Sequence, residues 1–149
     1  MSREIVINGL QLPEKFCDFA FKYKDSEGYC NLRLKKEIDC FGKHLECELA
    51  QIYPNEQELS QHTNLLSQYF VADGDYGEPG NKVSDPESIE DIIDFKKIVC
   101  FGIAGDGSQY CFDFRENRDT PSVIWWEDDH WRKISNSFEE FISLFVNIK

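Results

Sequence analysis

The sequence predicts a single-domain α+β protein, and three observations lead there. Apolar residues recur at helical spacing in three segments, each opened by a start signal at Pro13, Asn55 or Ser137. Between Lys97 and Ile134, four short runs are separated by turn-forming residues, the pattern of a β-meander. The chain has 149 residues, 41% of them hydrophobic and 14% aromatic, which suits one domain over residues 1–149 with a sizeable core.

Residues 3–7, REIVI, read as a short opening strand ended by the Asn8-Gly9 turn signal. In LPEKFCDFAFKY, Pro13 sits where a first helical turn tolerates it, and Phe16, Phe19, Ala20 and Tyr23 follow at helical spacing. This predicts an amphipathic helix whose aromatic side is core, so Phe16 and Phe19 receive no chemical role. After the DSEG break, NLRLK and HLECELA alternate as strands within 29–52, with Leu45, Cys47 and Leu49 on one face. The turn Phe41-Gly42-Lys43 would join them as a hairpin.

Pro54 and Asn55 interrupt that pattern. Asn55 and Glu58 have capping-box spacing, and the helix they open should reach about Phe70, burying Leu59, Leu66 and Tyr69 or Phe70. Residues 73–88, rich in Gly, Pro, Asp and Ser, form the longest loop, and IEDIIDF adds a helical turn. Strands are then expected at 97–103, 109–114, 122–127 and 131–134. Turns at Gly105-Asp106-Gly107, at 117–121 and at Asp128-Asp129 join them. The last helix starts at Ser137, boxed with Glu140, and lines up Phe138, Phe141, Ile142 and Phe145.

The formal net charge is −12, and it is uneven: residues 51–96 hold ten acidic and two basic side chains. Such a field repels nucleic acid and anionic membranes and attracts basic partners. Direct nucleic-acid or membrane binding is therefore not expected. No apolar run approaches the ~18–20 residues of a membrane helix, and MSREIVINGL lacks a basic region ahead of an apolar one. A cytosolic location is expected, and with it six reduced cysteines.

Chemical motifs fail on their context. In IVCFGIAGDGSQYCFDF the glycines Gly102, Gly105 and Gly107 have the wrong order for a dinucleotide fingerprint and lead into a strand, so no helix N-terminus receives a phosphate. Asp106-Gly107 between two strands is instead a hairpin signal. The stretch DGDYGE at 73–78 lacks the ligand positions of a calcium loop. Cys40, His44 and Cys47 have no C-x2-C knuckle to support zinc, and Glu127–His130 reads as an exposed turn. None of the three histidines sits in a nucleophile context. No catalytic residue, metal or cofactor is expected, and the chain is read as a non-enzyme.

The segment IVCFGIAGDGSQYCFDFRENRDTPSVIWWEDDHWRKISNSFEEFISLF resembles the SUKH superfamily, the Smi/Knr-like domains. Its apolar strand, Gly/Asp turn, aromatic strand ending at Asp113, Pro121–Trp126 strand and closing Ser137–Phe141 helix follow the family's order, and LPEKFCDFAFKY is similar to its Leu-Pro helix. The likeness covers residues 12–23 and 97–145. The family has a further helix ahead of the Leu-Pro segment, for which eleven residues leave no room, so a shortened member is expected. The resemblance implies a mixed or mainly antiparallel sheet flanked by helices. Asp113, beside Arg115 and Glu116, reads as part of a polar strand-end network rather than as a catalytic acid.

Bacterial members of the superfamily are mostly immunity proteins that neutralise toxins, often nucleases; others are adaptors. The resemblance thus implies a non-enzymatic immunity protein that binds a basic toxin domain, or else an adaptor with a housekeeping partner. The candidate contacts are Asp73, Asp75, Glu78, Asp128 and Asp129 as steering charges and a partly exposed Trp126 as anchor.

Overall fold

Each strand of the main sheet pairs antiparallel with the strand next to it in sequence, so the meander pattern extends over six strands rather than four. A computed structural model describes residues 4–42, 44–45, 48–69, 95–127 and 130–145. A hairpin of β1 (Val6–Ile7) and β2 (Leu10–Gln11) precedes α1 (Glu14–Lys22). The sheet runs β3 (Tyr29–Arg33), β4 (Glu48–Ile52), β5 (Ile98–Ile103), β6 (Gln109–Asp113), β7 (Ser122–Glu127) and β8 (His130–Ser135) in spatial as in chain order. Helix α2 (Glu56–Tyr69) lies between β4 and β5, and α3 (Phe138–Ile142) follows β8. The α+β architecture with an antiparallel sheet is as the sequence implied.

Local signals account for the helix starts. The Glu58 amide donates to Asn55 Oδ1 at 2.9 Å, and the Glu140 amide to Ser137 Oγ at 3.1 Å. The Glu140 carboxylate reaches back past the cap and accepts from the Asn136 amide at 3.3 Å. At the other break, Gly28 takes φ +84°, and a Cβ there would collide with the Ile52 carbonyl oxygen. Only glycine fits where the chain turns back to start β3.

The glycine-rich stretch is a hairpin. Ala104 donates to the Ser108 carbonyl at 2.9 Å, and Gly107 to the Ala104 carbonyl at 3.0 Å. Of the turn's residues only Gly107 has positive φ, +89°. The mirror-image turn that Asp-Gly pairs favour needs two such residues, so this is instead a turn followed by a left-handed glycine. Asp106 takes hydrogen bonds from the Ser108 hydroxyl and amide, and these hold its carboxyl below the usual range.

Alternation along β6 sorts the core into two faces. Tyr110 and Phe112 face α1 and α3. There Phe16 meets Phe101, Phe112 and Phe138 edge-on, with ring centroids 5.5, 5.4 and 5.4 Å away. Trp125, paired with Tyr110 across the strands, shares this face and donates its indole N–H to Ser108 Oγ at 2.8 Å. Cys111 and Ile124 point the other way, with Cys100 opposite Cys111. Burial pushes the Cys111 thiol well up.

Helix α2 runs beside β5, where β4 has already left the sheet. Cys100, which has no β4 partner, gives its amide to Thr63 Oγ1 at 3.0 Å. A buried backbone group is thereby satisfied by a helix side chain. On the same helix, His62 stacks on Tyr53 with centroids 3.8 Å apart, and burial lowers its pKa from 6.5 against an opposing Glu58 carboxylate. The unfolded chain therefore binds the proton first, and stability falls as pH drops through about 6.5. A proton NMR titration should place the His62 midpoint below that of an unfolded peptide, and a midpoint at or above it would contradict the stacking account.

The expected antiparallel pairing of β3 with β4 is present, but the turn expected to join them needs correction. Arg33 is paired with Glu48, so fourteen intervening residues, 34–47, join the two strands. The turn at Phe41-Gly42 exists, with Gly42 at φ +82°, but it closes a small loop of its own through the Ile38–His44 bridge. Leu45 is buried yet lies ahead of β4, and Cys47 falls outside the described residues.

Candidate protein-interaction site

Residues 34–45 form a strap that crosses from one edge of the sheet to the other. It leaves β3 beside the C-terminal end of α3, where the Lys35 amide donates to the Leu144 carbonyl at 2.8 Å. It then reaches β8, where Asp39 and Arg132 form an ion pair at 2.7 Å. Both partners are buried, at 3% and 4% exposure. The same guanidinium nitrogen donates to the His44 carbonyl at 2.8 Å, and Asp39 Oδ1 accepts from the Phe41 amide at 2.8 Å. One carboxylate thus fastens the strap and shapes its turn, which is the Asp-initiated turn with glycine at its fourth position.

With Asp39 inward, its neighbours point out. Ile38 and Phe41 are each 41% exposed. Arg33, Lys35 and Lys36 beside them are exposed as well, and among the described residues none of the three makes an ion pair. Sequence reasoning missed this group, because the residue that orients it finds its partner 93 positions away. Cys40 gives its thiol to the Glu140 carbonyl at 3.4 Å. Burial, with the Glu140 and Asp39 carboxylates, pushes that thiol up to about 11. It therefore stays protonated at neutral pH.

On the sheet face opposite α1 and α3, a cleft of about 490 Å³ opens where β6 ends and β7 begins, lined by Asp113, Glu116, Thr120, Ser122, Lys133 and Asn136. Arg115 grips Asp113 from the side through Nε at 2.9 Å and Nη2 at 2.8 Å, and its amide adds a third bond at 3.0 Å. Both carboxylate oxygens are committed to this fork, so Asp113 is part of a strand-end network, as its neighbours in the sequence suggested.

Trp126, expected as a partly exposed anchor, is 9% exposed. Its position on β7 sets it against Trp131 of β8 with centroids 5.3 Å apart, and Phe95 closes on Trp131 at 6.4 Å. The indole belongs to the core of the second sheet face. Asp73, Asp75, Glu78, Asp128 and Asp129 lie outside the described residues.

Among the described residues no helix is long and apolar enough to cross a membrane. No curated protein and no solved structure matches the chain. The model of the SMI1 / KNR4 family (SUKH-1) matches residues 7–144, which takes in the middle of the chain as well as the 12–23 and 97–145 segments. The chain belongs to the SMI1 / KNR4 family (SUKH-1).

Proposed function

We propose that this protein is a non-enzymatic immunity protein of the cytosol, which binds a cationic toxin domain, a nuclease in the simplest case, and blocks it. One observation carries the reading beyond the family: a net charge of −12, concentrated in residues 51–96, on a chain of this size. A nuclease must be cationic to hold phosphates, so an acidic inhibitor gains both complementarity and a fast approach. Asp73, Asp75, Glu78, Asp128 and Asp129 are the charges assigned to that approach. Trp126 is not, because its ring is buried.

Co-expression with any toxin domain found to be encoded beside this gene tests the reading. Protection of the host cell and a complex whose association slows by about tenfold or more between 50 and 500 mM salt are expected. Neither protection nor a complex, or a complex indifferent to salt, would sink the proposal. Reversing Asp128 and Asp129 to Lys should slow association more than it speeds dissociation.

A further inference from the structure

We propose that the tip of the strap is a second docking surface, distinct in sign from the acidic one, and that it takes an acidic protein segment bearing a large apolar side chain. The inference stands on the strap's geometry and charge, not on the immunity reading. Five large apolar side chains are exposed among the described residues, and two of them, Ile38 and Phe41, flank the buried Asp39. Their turn is held from within by the Asp39–Arg132 pair, so little ordering remains to be done when a partner arrives. Preorganised apolar anchors of this kind are what a partner's apolar side chain can cover.

Charge selects the partner. The chain holds 28 acidic side chains against 16 basic ones, yet Arg33, Lys35 and Lys36 at the strap find no carboxylate among the described residues. Glu48, directly across the strands from Arg33, turns away and accepts the Gly105 amide at 2.9 Å instead. Glu37 is the one exposed carboxylate in 33–41. An acidic peptide meets three cations there that no described carboxylate neutralises, and a basic toxin would be repelled. Polyphosphate chains and anionic bilayers are disfavoured because they present their charge to the whole −12 field, whereas a short peptide can sit on the strap alone.

The test uses the full chain, labelled with ¹⁵N, and a synthetic peptide of alternating Glu and Leu. Amide shifts confined to 33–42 are expected, together with a loss of affinity of about tenfold or more in Ile38→Ser/Phe41→Ser and in Lys35→Glu/Lys36→Glu. All four side chains are exposed, and among the described residues neither lysine side chain makes a hydrogen bond or ion pair, so melting of that variant should be unchanged. Equal binding of a Lys/Leu peptide, stronger binding of an oligonucleotide or of anionic vesicles, or no shift in the strap at millimolar peptide would each overturn the proposal. Protection against a toxin should be the same in the lysine variant as in the parent, which separates this result from the fate of the immunity reading.

Discussion

Replacing Asp39 by alanine is expected to lower stability by about 3–5 kcal/mol, the usual cost of leaving one member of a buried ion pair alone. The Arg132 guanidinium, 4% exposed, would lose the carboxylate that it meets at 2.7 Å. The Phe41 amide would also lose its acceptor. In a protein whose total stability is on the order of 5–15 kcal/mol, such a loss brings the folded state near its limit. Asp39→Asn should cost less, since an amide oxygen can still serve Phe41. The double change Asp39→Leu/Arg132→Met should recover most of the loss, because both members of the pair are then replaced by apolar side chains. Urea unfolding of the three variants decides the matter, and a single-mutant loss under about 1 kcal/mol would show that the pair contributes little.

Phe16→Ala is expected to cost about 3–5 kcal/mol, at the high end for a buried side chain. The ring is fully buried and touches others from β5, β6 and α3. Because those neighbours belong to three different elements, they cannot all collapse into the space it leaves. Phe19→Ala, on the same helix but only partly buried, should cost clearly less. Thermal and urea unfolding of the two variants gives the comparison, and equal losses would contradict the central position assigned to Phe16.

What was legible in the sequence was what is decided by neighbours. Ser137 with Glu140, and Asn55 with Glu58, act over three residues, and both helices start where these residues sit. The turn at Gly107 acts over four, and the strands on either side of it lie within a residue of the expected bounds. The same reading took the turn at Phe41-Gly42 for the join of β3 and β4, because nothing nearby reveals that Asp39 belongs to Arg132. Alternation along β7 puts Trp125 and Trp126 on opposite faces, yet it carries no information on whether the second face is covered. Phe95 and Trp131 cover it, and the expected anchor became core. Ile38 and Phe41 escaped notice for the converse reason: apolar residues beside a turn look buried until the turn's own carboxylate is seen to take the inside.

The strap also bears on the order in which the chain can fold. Strands β5 to β8 follow one another across connections of two to eight residues, so each pairing closes a small loop. Asp39 and Arg132 must find each other across 93 positions, and Cys40 and Glu140 across 100. Closing so long a loop carries a larger entropic cost, and the contacts that offset it require β8 and α3 to be in place already. Loop closure therefore favours the meander pairing first, with the strap fastening onto β8 and α3 afterwards.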